Sequence, residues 1–222
     1  MSKKRVPRED KQPIITKFVP KNATQEWYMD AILDNDVVLA KGCAGTGKTA
    51  VAVNLALQLI IKGEFKKLVI TRPAVEAGEN LGFLPGGLED KMSPYLQPVY
   101  DAFGETVNQG LINTWLANKV IEIVPVAYMR GRTFKDTFIM VDEAQNLSIQ
   151  QLTMILTRLG EGSKLIINGD SEQSDLPYNK QGGLDKCIKR LAKIEGIEVV
   201  TFTKKDSVRH PLIEKMLSAL SD

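Results

Sequence analysis

The segment with the clearest chemical meaning is Gly42–Thr49, which reads Gly-Cys-Ala-Gly-Thr-Gly-Lys-Thr. It fits the pattern G-x4-G-K-[ST], in which backbone amides surround a phosphate group and the lysine reaches the β- and γ-phosphates. The apolar run Asp36–Lys41 precedes it and the stretch Lys48–Ile61 follows, as a strand and a helix would. We therefore predict an ATP-binding loop at a helix N-terminus, with the Thr49 hydroxyl on Mg²⁺. The predicted contact residues are Gly42, Cys43, Ala44, Gly45, Thr46, Gly47, Lys48 and Thr49.

An apolar run that ends in two acidic residues supplies a second motif. Phe138–Asp142 reads as a strand, and Glu143 follows it directly. In proteins with a phosphate loop, an aspartate at this place holds Mg²⁺, and a neighbouring carboxylate can polarise the attacking water. A kinase for small molecules needs no such carboxylate, so the pair favours hydrolysis. We expect an ATPase with Asp142 as a metal ligand and Glu143 as general base.

Three further residues fit the same chemistry, each with an ordinary structural alternative. Gln173 follows the predicted strand Lys164–Asn168 and is placed to sense the γ-phosphate or orient water, or is a polar loop residue. Gln25 carries an amide that suits an adenine edge, although a glutamine at a helix start has the same pattern. Arg209 has the charge of an arginine finger that neutralises the transition state, yet an arginine before a helix is often structural.

Short apolar runs alternate with amphipathic stretches along the chain. The predicted strands are 36–41, 67–71, 121–126, 138–142, 164–168 and 198–202, and the predicted helices are 48–61, 94–103, 109–118, 148–159, 184–194 and 211–220. Buried strands separated by helices are typical of an α/β fold with a parallel sheet covered by helices on both faces.

Composition limits the remaining possibilities. The 222 residues are 43% hydrophobic with a net charge of +2, so an anionic partner must be bound by a local basic patch. Residues 1–20 are rich in lysine and arginine and are predicted to form a flexible basic arm, followed by a single domain over 21–222. No long apolar run or signal peptide is evident, and the two cysteines form no framework, which predicts a cytoplasmic protein without a membrane partner.

Several longer segments identify the chain as a member of the PhoH-like family, a group of P-loop ATPases related to the core of superfamily 1 helicases. The resemblance runs from about Thr24 to the C-terminus, in family order, and it implies a single RecA-like core. The segments that carry it, beyond the two motifs above, are Thr71–Pro85, Pro94–Asp101, Pro125–Thr133, Asp142–Asn146, Gly169–Asp170 with Gln173–Pro177, and Val208–Pro211.

The resemblance implies roles for individual residues around the nucleotide. Gln25 is similar to the glutamine with which helicases read adenine. Gln173 resembles the motif III glutamine near the γ-phosphate, and Arg209 resembles the arginine that contacts the same group.

Candidate nucleic-acid contacts also follow from the resemblance. Thr71 and Arg72 fall where helicase motif Ia meets the nucleic-acid backbone, with a structural role as the alternative. Arg130 and Arg132 flank a glycine and are candidates for a nucleic acid or a neighbouring subunit, or for an ordinary solvated loop.

Taken together, the residues and the resemblance imply a magnesium-dependent ATP hydrolase coupled to binding, translocation or unwinding of single-stranded nucleic acid, RNA rather than DNA. The alternative is a nucleotide-gated switch that acts on a protein partner.

Helicases clamp ATP between two cores, and the residues after Pro211 are too few for a second one. We therefore expect a homo-oligomer, as a hexameric ring, in which Arg209 acts on its own or a neighbouring site.

Overall fold

The computed structural model describes residues 18–73, 88–177 and 181–220. The predicted basic arm lies almost entirely outside these residues, and so does most of the Thr71–Pro85 segment. Among the described residues, no helix combines the length and the apolar character that crossing a membrane would require.

Six parallel strands form one sheet in the order β3-β2-β4-β5-β1-β6. The strands are β1 (Val37–Lys41), β2 (Lys67–Thr71), β3 (Ile121–Ile123), β4 (Thr137–Val141), β5 (Lys164–Gly169) and β6 (Ile197–Thr201). In register, Lys41 lies between Gly169 and Thr201, while Thr71 lies opposite Val141. The residues that follow β1, β2, β4 and β5 therefore meet at one edge of the sheet.

Helices cover both faces of the sheet, which confirms the predicted α/β fold. The helices are α1 (Ala23–Asp34), α2 (Lys48–Ile61), α3 (Leu88–Thr106), α4 (Gln109–Ala117), α5 (Ile149–Leu156), α6 (Gly183–Leu191) and α7 (Pro211–Leu220). Side chains from α1 to α4 form one apolar core with the sheet, and side chains from α5 and α6 form a second core on the opposite face.

Helix α1 is not among the predicted helices, and several predicted bounds differ; α3, for example, begins at Leu88 rather than at residue 94. Helix α1 begins after Asn22, whose side chain accepts a hydrogen bond from the Gln25 backbone N–H at 2.9 Å. The strand predicted to reach residue 126 ends at Ile123, since Pro125 has no N–H to donate to a neighbouring strand. A short 3₁₀ turn, Val126–Met129, follows it.

Candidate active site

A pocket opens at the carboxyl edge of the sheet, where β1, β4 and β5 end. Its lining residues are Ala44, Gly45, Gly47, Lys48, Thr49, Ala50, Pro98, Asp142, Glu143, Gly169, Asp170, Gln173 and Arg209. The lining thus includes the side chains predicted to act on phosphate or metal, which are Lys48, Thr49, Asp142, Glu143, Gln173 and Arg209. The predicted site residues that are not among the lining residues include Gly42, Cys43 and Thr46 of the loop, Gln25 and Arg72.

The loop before α2 needs glycine because other parts of the chain press against it. Gly42 has a φ of 148°, and a Cβ there would lie 2.4 Å from the carbonyl oxygen of Phe202. Gly45 has a φ of 82°, and its Cβ would lie 2.3 Å from Nε of Arg209. Since the Val208 N–H also donates to the Gly45 carbonyl at 2.9 Å, Arg209 is held over the phosphate loop of its own chain.

Lys48 is a nearly buried cation within the loop, with 9% of its surface exposed. Its amine donates to the carbonyls of Gly42 at 2.6 Å and Cys43 at 3.0 Å, and to the Thr46 hydroxyl at 3.2 Å. Burial lowers the pKa of Lys48, and the nearby Asp170 carboxylate opposes that shift. A buried cation surrounded by main-chain dipoles suits the binding of a phosphate anion.

Thr49 and Asp142 form the part of the site that would hold a metal ion. The Thr49 hydroxyl donates to the Asp142 carboxylate at 2.9 Å, and Asp142 is buried. Burial, then the adjacent Glu143 charge, raise the pKa of Asp142 to about 6, although Arg72 acts in the opposite direction. A hydroxyl and a carboxylate are the hard oxygen donors that Mg²⁺ prefers, so these residues fit that ion.

Glu143 has an unusual backbone conformation, and its carboxylate contacts two other side chains. Its φ of 54° is left-handed, which is costly for a residue with a side chain. Oε1 accepts from Arg72 Nη2 at 3.1 Å, and Oε2 accepts from Gln145 Nε2 at 2.5 Å. Arg72 also lies 3.6 Å from the Asp142 carboxylate. Arg72, predicted to contact a nucleic-acid strand, is therefore engaged with the two acidic residues of the site.

Two residues of the site, Gln145 and Asp170, lie within segments that carry the family resemblance, although no role was predicted for either. The Gln145 amide oxygen accepts from the Asp170 N–H at 2.9 Å. The Asp170 carboxylate in turn accepts from the Ala44 N–H at 3.0 Å. This series of contacts connects Glu143 to the phosphate loop.

The start of α1 also contacts the phosphate loop. Gln25 is 1% exposed, its Nε2 donates to the Thr46 carbonyl at 3.0 Å, and its Oε1 accepts from the Lys21 N–H at 2.8 Å. Both ends of the amide are thus bonded within the chain, rather than presented to an adenine as predicted. The Thr24 hydroxyl donates to Asp206 at 2.6 Å, which ties this region to the turn that precedes Arg209.

The remaining candidate strand contacts have different environments. Thr71 has no exposed surface in this structure, and its contact with a nucleic acid stays a prediction. Arg132 donates to Glu122 at 2.9 Å and lies 4.5 Å from the ring centre of Phe134, which indicates a structural role. Arg130 is exposed.

A parallel sheet with the phosphate loop after β1 and the acidic pair after β4 defines a RecA-like P-loop NTPase fold. Within that class, the sequence model described as "PhoH-like protein" matches residues 17–221. The chain belongs to the PhoH-like family, as its motifs implied.

Individual relatives agree with this assignment. The chain is 47% identical over 199 residues to a PhoH-like protein of Bacillus subtilis (strain 168), which covers 90% of this chain and 62% of that protein. It is 38% identical over 214 residues to the protein PhoH of Escherichia coli (strain K12), covering 96% of this chain and 59% of that protein. The chain therefore spans about three fifths of the length of the curated relatives it matches.

Solved structures share the fold at low sequence identity. The large terminase from a thermophilic bacteriophage superposes with a TM-score of 0.55 and 11% identity, over 93% of this chain and 50% of that one. A second structure of that terminase, in complex with ADP, gives a TM-score of 0.53 and 12% identity over 88% and 49%. At this identity the likeness shows the fold alone.

Proposed function

We propose that this chain is a magnesium-dependent ATP hydrolase. The observation that carries the proposal is that the Glu143 carboxylate lines the same pocket as Lys48, Thr49 and Asp142. A phosphate-binding cation, a pair of metal-binding oxygens and an acidic group suited to activate water are the parts that nucleoside triphosphate hydrolysis requires.

The residues divide the reaction between them. Lys48 and the loop amides bind the β- and γ-phosphates, and Arg209 adds a second positive charge above Gly45. Thr49 and Asp142 would hold Mg²⁺, which neutralises phosphate charge when bound. Glu143 accepts a proton from water as the water oxygen attacks the γ-phosphorus and the bond to the β–γ bridging oxygen breaks. ADP and inorganic phosphate are the products.

We further propose that hydrolysis is coupled to binding, translocation or unwinding of single-stranded nucleic acid, RNA rather than DNA. Arg130 is exposed on the segment that follows β3, and Tyr128, two residues earlier, is 61% exposed. An arginine that pairs with phosphate and an aromatic ring that stacks on a base are the usual chemistry of single-strand binding.

The proposal includes assembly of copies into a hexameric ring. One face of α7 carries the exposed apolar side chains of Leu212, Met216 and Leu220, which suit burial against another subunit. Size measurement in the presence of a non-hydrolysable ATP analogue tests this part. A monomer at micromolar concentration would exclude the ring.

The principal test is steady-state ATP hydrolysis by the wild type and Glu143→Gln. We expect the variant to lose about 10²- to 10⁴-fold in kcat, because an amide cannot accept the proton, while it still binds ATP. Glu172→Gln is the matched control, since Glu172 is exposed and lies outside the pocket lining. Hydrolysis that persists in Glu143→Gln contradicts the proposed mechanism.

Coupling is tested by adding single-stranded RNA or DNA at low salt, where contacts to strand phosphates are strongest. We expect RNA to raise the rate of the wild type and to leave Glu143→Gln inactive. Hydrolysis that needs Glu143 but ignores both polymers would favour the nucleotide-gated switch that acts on a protein partner.

A further inference from the structure

Both carboxylate oxygens of Glu143 are already bonded within the chain. Arg72 donates to Oε1 at 3.1 Å, and Gln145 donates to Oε2 at 2.5 Å. A general base must offer one oxygen to the water that it activates, at a distance of about 2.6–3.2 Å. Each carboxylate oxygen can accept a second hydrogen bond, but the two contacts fix the orientation of the group, so a water can bond only at the positions that Arg72 and Gln145 leave free.

The contact with Gln145 is the more firmly fixed of the two. Gln145 is 4% exposed and belongs to the short 3₁₀ turn Ala144–Asn146, and its amide oxygen is bonded to the Asp170 N–H at 2.9 Å. The Arg72 side chain is 17% exposed, and its second contact, with Asp142, is a longer one of 3.6 Å. A change of the Arg72 rotamer would free Glu143 without disturbing the backbone of the site.

The position of Arg72 also indicates what kind of ligand could replace Glu143 as the partner of its guanidinium. Both of its acidic partners line the nucleotide pocket, whereas Arg72 does not. Its guanidinium reaches them from the side of β2, and the pocket has its own cations for the nucleotide phosphates in Lys48 and Arg209. Because the Arg72 side chain is 17% exposed, an anion that reaches the exposed part can compete with Glu143 for the guanidinium.

We infer that Arg72 restrains hydrolysis by holding Glu143, and that a phosphate oxyanion releases Glu143 when it binds the guanidinium. The inference rests on the proposed function and concerns the regulation of the same site. A guanidinium forms strong paired hydrogen bonds with phosphate as well as with carboxylate, so the exchange needs no new kind of contact. The phosphate belongs to a bound single strand; the alternative source of the same group is the γ-phosphate of ATP.

The test is steady-state hydrolysis by Arg72→Gln, with kcat and KM for ATP measured separately, with and without polyuridylic acid. Without polymer, we expect kcat to rise about tenfold, the size expected when a charge-assisted hydrogen bond no longer has to be broken. The polymer should add little further rate, because the restraint is already gone. In a plot of the logarithm of the RNA binding constant against the logarithm of the salt concentration, the slope should become shallower by roughly 0.7, which corresponds to one lost phosphate contact.

Other outcomes would overturn the inference. A fall in kcat would show that Arg72 supports Glu143 rather than restrains it. A higher KM for ATP with unchanged RNA affinity would mean that the γ-phosphate is the partner of Arg72. Unchanged kcat and unchanged stimulation would show that the contact has no effect on turnover.

Three further variants serve as controls for the Arg72→Gln experiment. Arg190→Gln makes the same chemical change at an exposed position on α6, and we expect its basal rate to match the wild type. Arg72→Lys retains the charge but cannot bond both carboxylates as a guanidinium does, so its basal rate should lie between those of the wild type and Arg72→Gln. Glu143→Gln separates the two failures: if it is still active, the proposed function is wrong; if it is inactive while Arg72→Gln behaves as wild type, only the inference is wrong.

Discussion

The site has a loop side, the phosphate loop Gly42–Thr49, and an acidic side, which consists of Asp142 and Glu143 with their partner Arg72. The two sides are stabilised by different sets of contacts. On the loop side, the main chain is bonded to the main chain: the Phe202 N–H donates to the Lys41 carbonyl at 2.7 Å, and the Val208 N–H donates to the Gly45 carbonyl at 2.9 Å. On the acidic side, the main chain is also bonded, since the Asp142 N–H donates to the Thr71 carbonyl at 2.9 Å, but Arg72, Asp142 and Glu143 in addition contact one another through charged side chains.

This difference suggests a division of labour. Main-chain contacts are fixed by the fold and cannot exchange partners unless a segment moves. Charged side chains exchange partners by rotamer changes, which are far faster than segment motions. The loop side is therefore suited to hold the nucleotide in one place, while the acidic side is suited to change state during turnover.

Among the substitutions proposed here, Gly42→Ala on the loop side should cause the largest loss of stability. Gly42→Ala would place a methyl group 2.4 Å from the Phe202 carbonyl oxygen at a φ of 148°. We expect a loss of about 3 kcal/mol or more in the free energy of unfolding, together with loss of ATP binding. Denaturant unfolding provides the measurement. The control is Gly63→Ala, where φ is 77° but nothing lies within 4 Å, with an expected cost of about 1 kcal/mol. Equal losses in both variants would argue against a rigid loop side.

A pH-dependent contact joins two distant parts of the chain beside the loop. The Asp206 carboxylate accepts from the Thr24 hydroxyl at 2.6 Å and from the Thr203 N–H at 2.6 Å. Burial alone would raise the pKa of Asp206, but these hydrogen bonds outweigh it and lower the pKa. A lowered folded-state pKa gives stability that is complete above the unfolded value of about 3.9 and is lost as the pH falls through the folded value.

Asp206→Asn should therefore cost about 1 kcal/mol of stability at neutral pH, because the amide offers one acceptor oxygen where the carboxylate uses two. The difference from the wild type should shrink as the pH is lowered below about 4. Thermal unfolding of both proteins between neutral and acidic pH checks this. A difference that stays constant over that range would show that the charge of Asp206 is not what stabilises the contact.

An effect of similar size, but of opposite sign, is expected on the acidic side, at the end of β2. The Thr71 hydroxyl is buried without a hydrogen-bond partner among the described residues, so Thr71→Val removes a polar group that is costly to bury. We expect a gain of about 1 kcal/mol in stability and unchanged RNA affinity. Thr137→Val is the opposite control, because the Thr137 hydroxyl donates to the Lys135 carbonyl at 2.7 Å and its loss should destabilise. Weaker RNA binding by Thr71→Val would support Thr71 as a strand contact.

The elements with local sequence signals were predicted well. Gly42–Thr49 and the pair Asp142–Glu143 are contiguous motifs attached to apolar strands, and the structure places both at the same sheet edge. Helix α1 was not predicted, because the exposed Trp27 and Leu33 interrupt the apolar pattern of its buried face. Periodicity detects a helix only when one face is consistently apolar.

The contacts between Arg72 and the acidic pair Asp142 and Glu143 could not be predicted from local sequence patterns. These residues are neighbours only because β2 lies beside β4, and the alternation of strands and helices does not specify strand order. The same reason applies to Thr24 and Asp206, which are separated by 182 positions. Arg72 was therefore predicted from the resemblance as a nucleic-acid contact, with a structural role as the alternative, whereas the fold brings it into contact with two carboxylates.

The strand order has a further consequence for how the protein acquires its site during synthesis. β1 is the first strand to be made, but it lies between β5 and β6, the last two. The phosphate loop that follows β1 contacts Phe202 and Val208. A nascent chain that ends before these residues therefore contains the phosphate-loop motif without the contacts that stabilise it. Contacts so distant in sequence form late in folding, since the loop they close is long. The ability to bind nucleotide therefore emerges at the end of folding, and a nucleotide that binds only the finished loop favours the completed fold over its precursors.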